Sequence, residues 1–162
     1  MLPAHLESNF INPEYKGAQP AECLRSPVRG VRSGEFSADD ILDVIDGAQP
    51  DVGIITLAPE LPGAIELIER FFEAGHRVSL GHSGATFEQA IAAVEAGACH
   101  ATHLFNRMTP MSHRAPGVAG AVLARQDVAA ELICDGYHVH PSMCRVAIAA
   151  KGVDRVMAIT DG

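Results

Sequence analysis

The sequence of 162 residues contains no apolar run that approaches the roughly 18 to 20 residues needed to span a lipid bilayer. Its opening stretch, MLPAHLESNF, has no basic segment followed by an apolar one, so we expect no signal peptide. Positive charge is also scarce, because 12 Lys and Arg residues stand against 20 Asp and Glu residues and give a formal net charge of −8. This balance argues against nucleic acid and against anionic membranes as partners.

Cysteine is scarce too, and the four cysteines, Cys23, Cys99, Cys134 and Cys144, form no C-x-x-C pair. Two of them lie in predicted strands, which indicates buried free thiols in a reducing compartment. Apolar residues make up 48% of the sequence, as in globular proteins, and the length suffices for one ordinary domain with a core. We therefore expect a cytoplasmic location.

The sequence does contain a clear alternation of strand and helix patterns. Six short apolar runs predict buried parallel strands: LPAHLE (2–7), VGIITL (52–57), RVSLG (77–81), ACHATHL (98–104), AELIC (130–134) and RVMAIT (155–160). The helical patterns between them begin at N-caps such as Ser37 and Thr86 and end at glycines such as Gly47 and Gly97. Residues 8–36, with three prolines, are predicted to form a long irregular loop. This α/β pattern fits either an open doubly wound sheet or part of a (β/α)₈ barrel.

Polar side chains stand at the end of each predicted strand. They are Glu7, Glu60, His82, His103, Asp135 with His138, and Asp161. The carboxyl ends of parallel strands meet at one rim in such folds, and functional groups gather there. Imidazole nitrogen and carboxylate oxygen suit zinc or ferrous iron, and a catalytic site leaves one coordination position for water. The pattern therefore predicts a hydrolytic metal site at this rim.

Two histidines, His100 and His103, lie in the same predicted strand. Because alternate residues of a strand face opposite sides, these two should not share a face. His103 lies at the end of the strand, where a metal ligand is expected. We therefore expect His100, which lies deeper, to have a structural role.

Six segments occur in a fixed order: HLESNFINPEYKGAQP, LGHSGATFEQA, ATHLFNRM, HRAPGVAGA, DGYHV and ITDG. Together they resemble the N-acetylglucosamine-6-phosphate deacetylases of the amidohydrolase superfamily over essentially the whole chain. The resemblance implies a distorted (β/α)₈ barrel with a small β-sandwich, in which these six parallel strands are barrel strands three to eight. Residues 1–162 are then a single, incomplete catalytic-barrel segment of a TIM-type barrel, without the N-terminal strands and the sandwich.

The resemblance also implies a reaction, the metal-dependent hydrolysis of N-acetyl-D-glucosamine 6-phosphate to D-glucosamine 6-phosphate and acetate. It makes Glu7, His82 and His103 the ligands of a divalent metal, zinc or iron. Asp161 is then the general base, which takes a proton from the attacking water and returns it to the leaving amine. The substrate-binding residues that it implies are Gln19, Asn106, Arg107 through its backbone, Arg114 at the phosphate, and His138. The partner is a small amino-sugar phosphate, and the full-length members are expected to be homodimers.

The sequence departs from the family pattern at several positions. Ser8-Asn9 follows Glu7 where the family usually shows Gly-Pro, which leaves the placement of Glu7 open. Gln19 stands where many members carry histidine, although glutamine can still donate a hydrogen bond to a sugar hydroxyl. Arg107 stands where a small residue is common, and Gly162 where alanine is frequent. Family members are more than twice as long, so the chain resembles an internal piece.

Two functions from different classes are therefore open. The chain is either a metal-dependent sugar-phosphate deacetylase or a truncated, non-catalytic sugar-phosphate-binding or structural remnant of one. A different amidohydrolase chemistry, such as that of a cyclic amidase, is a weaker alternative, because THLFN followed by APG points to the amino-sugar branch. Metal content and acetate release separate the first two alternatives.

Overall fold

The computed structural model describes residues 3–7, 9–33 and 35–161, so Leu2, Ser8 and Gly162, which the expectations above include, lie outside the described residues. The strands are β1 (Ala4–Glu7), β2 (Arg32–Ser33), β3 (Phe36–Ser37), β4 (Val52–Leu57), β5 (Arg77–Leu80), β6 (Ala98–Ala101), β7 (Ala129–Ile133) and β8 (Val156–Ile159). The α-helices are α1 (Ala38–Gly47), α2 (Ala64–Glu73), α3 (Phe87–Glu95), α4 (Gly117–Ala124) and α5 (Pro141–Lys151). Short 3₁₀ helices lie at Pro13–Tyr15, Ala21–Cys23 and Val153–Arg155.

Six strands form one parallel sheet in the order β1-β4-β5-β6-β7-β8, which curls into half of a barrel. Each strand pairs with the strand that precedes or follows it in the chain, apart from the β2–β3 hairpin inserted after β1. A doubly wound sheet instead reverses its strand order at a switch point. The structure therefore confirms the α/β class and the partial barrel, and it excludes the open-sheet alternative.

The helices begin where the sequence provides a cap. The Ser37 hydroxyl accepts a hydrogen bond from the Asp40 backbone N–H, and the Asp40 carboxylate accepts one from the Ser37 backbone, at 3.2 and 2.6 Å. Thr86 and Gln89 form the same reciprocal capping box at the start of α3. Each cap satisfies backbone donors that the first helical turn leaves unpaired. Both predicted caps are thereby confirmed.

The sheet has two different faces. Alternate strand residues such as Leu57, Leu80 and Leu132 are fully buried against the helices and form the core. Burying one such side chain stabilises the fold by roughly 1.5–3 kcal/mol. The residues between them line the inside of the half-barrel, and several of them are polar: Thr56, Ser79, His100, Thr102 and Glu131. The predicted apolar runs therefore contain polar positions that face the inside of the half-barrel.

Three other expectations need correction. The helix α4, between β6 and β7, was not predicted, because its sequence GVAGAVLA carries two glycines and no polar face. Residues 8–36 are not uniformly irregular, since they contain two 3₁₀ helices and the β2–β3 hairpin. The four cysteines are free as expected, but none is buried and Cys134 is exposed.

In the described part of the chain, no helix has the length and apolar character required to cross a bilayer.

Candidate functional site

A cavity of about 660 Å³ opens at the carboxyl end of the parallel strands. Its lining contains eight of the nine residues that the sequence assigns to the site: Glu7, Gln19, His82, His103, Asn106, Arg107, His138 and Asp161. Arg114, the ninth, is exposed and lines a separate pocket of about 200 Å³ beside the start of α3. The half-barrel therefore brings together residues from five different strand ends, and it places Arg114 elsewhere.

Glu7, His82 and His103 form the floor of this cavity, and we call them the rim cluster. Glu7 closes β1, whereas the two histidines follow β5 and β6 by two residues each. His82 Nε2 lies 2.8 Å from Glu7 Oε1 and 2.9 Å from His103 Nε2, and His103 Nε2 lies 3.7 Å from Glu7 Oε2. These potential ligand atoms all lie within 4.8 Å of one another. The rim cluster thus converges on one point, as a metal site requires.

A contact with the Tyr15 carbonyl determines which ring nitrogen of neutral His82 carries the proton. His82 Nδ1 lies 2.8 Å from the Tyr15 carbonyl oxygen, which can only accept, so Nδ1 carries the donated proton. In neutral His82 the lone pair on Nε2 then points at the Glu7 carboxylate and at His103. Electron pairs facing one another at these distances repel unless a cation lies among them. A proton on Nε2 satisfies this arrangement, and so does a divalent cation, so the residues fit a metal.

The charge states in the rim cluster also favour cation binding. A hydrogen bond from His82, which requires the proton on Nε2, lowers the pKa of Glu7 to about 2, although burial raises it, and a bond from Gln19 lowers it further. Burial lowers the pKa of His103, aided by neighbouring His82, while Glu7 and Asp161 oppose this shift. His103 Nδ1 is moreover buried without a hydrogen-bond partner. At neutral pH the cluster therefore offers an ionised carboxylate and an uncharged imidazole of His103.

Gln19 contacts the rim cluster directly. Its side-chain amide donates a hydrogen bond of 2.6 Å to Glu7 Oε1. In this position Gln19 orients Glu7, a candidate metal ligand. Gln19 also lines the cavity in which a substrate would lie. Its predicted contact with a sugar hydroxyl stays a prediction.

Backbone strain is concentrated at this cavity. Five non-glycine residues of the described chain have positive φ angles, and all of them line it: His82 (48°), His103 (30°), Phe105 (79°), Arg107 (49°) and Asp161 (58°). Such conformations cost roughly 1–3 kcal/mol each for residues with a Cβ, they persist only where the surrounding structure enforces them, and they cluster at functional sites. The turns after β5, β6 and β8 thus aim their side chains at the cavity at a cost in stability.

His100 and His103 do not face opposite sides as the sequence indicated. The strand β6 ends at Ala101, and the left-handed backbone of His103 breaks the alternation on which that expectation relied. Both residues reach the inside of the half-barrel, where His100 Nε2 and the His103 backbone N–H lie within 3.1 and 3.4 Å of the same carboxylate, that of Glu131. His103 is nevertheless the one whose ring joins the rim cluster.

The remaining cavity residues surround the rim cluster. Asp161 and Arg107 are exposed, and Asn106 is half-buried. His138 belongs to a turn in which the Asp135 carboxylate accepts hydrogen bonds from the backbone N–H groups of Tyr137 and His138 and contacts the His138 ring at 2.7 Å. These bonds, first that of the His138 backbone, lower the pKa of Asp135 to about 2. Asp135 thereby holds the imidazole of His138 at the cavity wall.

Two carboxylates, half-buried Glu60 and buried Glu131, support the site and were not assigned a role from the sequence. Glu60, just after β4, accepts hydrogen bonds from Asn12, from the Ser83 hydroxyl and from the Gly84 backbone, at 2.8, 2.7 and 2.5 Å. It thereby holds the turn that follows His82, and its place at a strand end was a usable signal. Glu131 lies inside the apolar run AELIC, where only its charge distinguishes it.

Comparison with known proteins agrees with this geometry, although no protein-family model matches the chain. The curated N-acetylglucosamine-6-phosphate deacetylase of Lysinibacillus sphaericus is 38% identical over 161 residues, which are 99% of this chain and 39% of the relative. The N-acetylgalactosamine-6-phosphate deacetylase of Escherichia coli O157:H7 is also 38% identical, over 99% of this chain and 40% of the relative. A solved structure of a mutant N-acetyl-D-glucosamine-6-phosphate deacetylase from Mycobacterium smegmatis, in complex with N-acetyl-D-glucosamine-6-phosphate, aligns with a TM-score of 0.87 and 35% identity, over 97% of this chain and 39% of that chain.

The chain resembles a portion of the N-acetylglucosamine-6-phosphate deacetylases. It spans about two fifths of the length of the curated relatives it matches. Because the match to these deacetylases covers nearly the whole chain, it includes the strand ends that form the cavity as well as the core. The likeness therefore supports the partial-barrel fold.

Proposed function

We propose that this chain forms the metal-binding face of a deacetylase that hydrolyses N-acetyl-D-glucosamine 6-phosphate to D-glucosamine 6-phosphate and acetate. The observation that carries the proposal is the convergence of Glu7, His82 and His103 on the floor of a cavity that Asp161 also lines. The solved relative with N-acetyl-D-glucosamine-6-phosphate supports the substrate. The site contains no nucleophilic Ser or Cys among the described lining residues, so hydrolysis by activated water suits it better than an acyl-enzyme route.

The rim cluster would hold one divalent cation, zinc or iron, through one carboxylate and two imidazoles. When bound, such a cation supplies Lewis-acid chemistry, which lowers the pKa of water and polarises a carbonyl.

Asp161 is the residue that would move the proton. Its carboxylate lies close enough to the rim cluster to oppose the lowering of the His103 pKa, whose main causes are burial and His82. A carboxylate in this place can accept a proton from the attacking water and deliver it to the amine as the C–N bond breaks. Asn106 and His138 would orient the acetamide and the sugar hydroxyls from the cavity walls.

Arg107 would recognise the phosphate from within this chain. It is the only Lys or Arg among the described residues that line the 660 Å³ cavity, and no acidic side chain of the described chain pairs with it. Its side chain packs against Gly17, where an added Cβ would lie 3.0 Å from the Arg107 Nε atom. A guanidinium free of carboxylates can bind a phosphate through two parallel hydrogen bonds. Arg114 lies outside this cavity, so its predicted contact with the phosphate would have to come from outside the cavity.

The proposal is tested on the purified 162-residue chain after removal of metals and reconstitution with zinc or ferrous iron. We expect one metal ion per chain by elemental analysis and release of acetate from N-acetyl-D-glucosamine 6-phosphate, with N-acetyl-D-galactosamine 6-phosphate as the epimeric comparison. The matched control is His103→Ala, which should retain no metal. A wild-type chain that retains no metal would contradict the proposal.

A non-catalytic, sugar-phosphate-binding role is the second candidate, and one observation favours it. The strands β1 and β8 each have one neighbour in the described sheet, and a second cavity of about 660 Å³ opens between them, lined by His5, Glu7, Glu131 and Asp161. A wet, open site stabilises a developing charge less than an enclosed one. We therefore expect turnover of the isolated chain to be low. Calorimetric binding of D-glucosamine 6-phosphate, together with no release of acetate from N-acetyl-D-glucosamine 6-phosphate, would favour this candidate.

A cytoplasmic location, the single-segment organisation of residues 1–162 and a homodimeric state of the full-length enzymes stay predictions. Light scattering of the purified 162-residue chain measures the oligomeric state of this chain.

A further inference from the structure

A second cluster of ionisable residues lies inside the half-barrel, one layer below the rim cluster. Glu131, in the middle of β7, is only 5% exposed, and its Oε1 atom lies 3.1 Å from both His5 Nδ1 and His100 Nε2. We call His5, His100 and Glu131 the inner cluster. Burial alone would raise the pKa of Glu131, but hydrogen bonds from His100 and His5 lower it to about 2. The carboxylate is therefore ionised and accepts two imidazole N–H groups at one oxygen.

Glu131 also holds the turn that carries His103. Its second oxygen, Oε2, accepts a hydrogen bond of 3.4 Å from the His103 backbone N–H. Its main-chain carbonyl accepts one of 2.8 Å from the backbone N–H of Leu104. Because His103 has a φ angle of 30°, its conformation persists only where its surroundings enforce it. Glu131 supplies part of that enforcement.

The inner cluster also fixes β1, the strand that ends in Glu7. His5 lies two residues before Glu7 on the same face of β1, and its Nε2 atom lies 2.7 Å from the Thr56 hydroxyl. Hydroxyl contacts of 2.7 and 2.6 Å continue from Thr56 to Thr102 and from Thr102 to Ser79. Glu131 therefore ties β7 to β1 and, through this chain of hydroxyls, to β4, β5 and β6.

We infer that Glu131 is a positioning residue for the candidate metal site, which it serves through Glu7 and His103 without binding the metal itself. It holds the strand that ends in Glu7 and the turn that carries His103 at the separation seen in the rim cluster, where Glu7 Oε2 and His103 Nε2 are 3.7 Å apart. Partners that orient metal ligands from outside the coordination shell typically change metal affinity about 10–100-fold when they are removed. This inference rests on the proposed metal-binding function.

The test compares wild-type chain with Glu131→Gln, which keeps the size of the side chain and removes its charge. We expect zinc to bind Glu131→Gln about 10–100-fold more weakly, with a shifted visible spectrum when cobalt replaces zinc. Before metal is added, the backbone and ring ¹⁵N signals of His103 should also shift. Glu131→Asp, which keeps the charge but shortens the side chain, should weaken zinc binding as well and serves if Glu131→Gln does not fold.

Lys151→Met is the matched control, because Lys151 is also charged and only 4% exposed, but donates to the Val122 and Arg125 carbonyls at the α4–α5 contact. It should lower the melting temperature without changing zinc affinity or the His103 signals. Glu131 variants that melt early yet bind zinc with wild-type affinity and spectrum would overturn the inference. If the wild-type chain binds no zinc, the proposed function fails, and the ¹⁵N signals alone decide: a shift in Glu131→Gln supports the positioning role and unchanged signals overturn it.

Discussion

The rim cluster and the inner cluster have the same composition, one glutamate and two histidines, yet their contacts and backbone conformations differ. In the inner cluster two imidazoles aim at one carboxylate oxygen, each at 3.1 Å, and all three residues lie on strands. In the rim cluster two imidazole nitrogens face each other at 2.9 Å, and both histidines lie in turns with positive φ angles. The Glu131 carboxylate receives imidazole N–H groups from two strands and ties them together. The Glu7 carboxylate lies beside two imidazole nitrogens that converge on one point, where either a proton or a cation can lie.

The largest expected effect is the loss of metal from rim variants. His82→Ala and His103→Ala each remove one of three candidate ligands. Metal affinity should therefore fall by more than it does on loss of a residue that only orients a ligand, which costs about 10–100-fold. His100→Ala, the corresponding change in the inner cluster, should lower the melting temperature and leave metal bound. Elemental analysis of the purified variants measures this. A normal metal content in His103→Ala would remove the distinction between the two clusters.

Asp161→Asn should separate chemistry from metal binding. The amide cannot accept a proton from water, so acetate release should fall by about 10²–10⁴-fold while the metal content stays at the wild-type level. The readouts are acetate release and elemental analysis on the same preparation. Retention of both metal and near-wild-type turnover would exclude Asp161 as the general base.

Acid should unfold the protein partly through the inner cluster. Glu131 has a folded-state pKa of about 2 against an ordinary value of 4.5, so its contribution is complete above about pH 4.5 and is lost as the pH falls towards 2. The difference corresponds to roughly 3 kcal/mol of unfolding free energy. Urea unfolding of Glu131→Gln between pH 2 and 6 should therefore show a flatter pH dependence than the wild type. Parallel curves would mean that the charge of Glu131 does not stabilise the fold.

The smallest effect concerns the phosphate. Arg107→Ala should weaken binding of D-glucosamine 6-phosphate by about 10–100-fold, the contribution of a hydrogen bond to a charged group, and leave D-glucosamine unaffected. Arg114→Ala tests the expectation taken from the family resemblance, and the loss should be smaller in the isolated chain because Arg114 lies outside the cavity. Calorimetry with both ligands provides the comparison. Equal losses for the phosphorylated and unphosphorylated sugars would show that Arg107 does not recognise phosphate.

The sequence predicted the strands and caps well because those signals are local. The run VGIITL forms β4 over its full predicted range, and the capping boxes at Ser37 and Thr86 are present. The helix α4 was missed because it is buried nearly all round, so no polar face marks its helical period. Local signals also marked the members of the rim cluster, since each of them closes or follows a strand, and the structure brings the three together.

The parts of the site that the sequence could not reveal depend on contacts between distant segments. The Tyr15 carbonyl that fixes the proton on His82 comes from the 3₁₀ helix Pro13–Tyr15, 67 residues away. In the sequence, Glu131 cannot be distinguished from any other charged residue in a strand. Its contacts depend on the curl of the sheet, which brings His5 and His100 to it. The left-handed backbone of His103 equally gives no signal, because positive φ angles are uncommon for residues other than glycine and no local motif marks this one.

The order of the strands has a consequence for how such a protein can be divided. Each parallel strand from β4 to β7 hydrogen-bonds to the next strand along the chain. A cut in any of these crossovers therefore separates only one pair of neighbouring strands. Two polypeptides that meet at such a cut would each keep their own internal ladder and core contacts. The rim cluster takes its residues from both sides of a cut between β5 and β6, so reassociation of the two pieces would restore it. A split protein of this kind would report its own assembly through the recovery of metal binding.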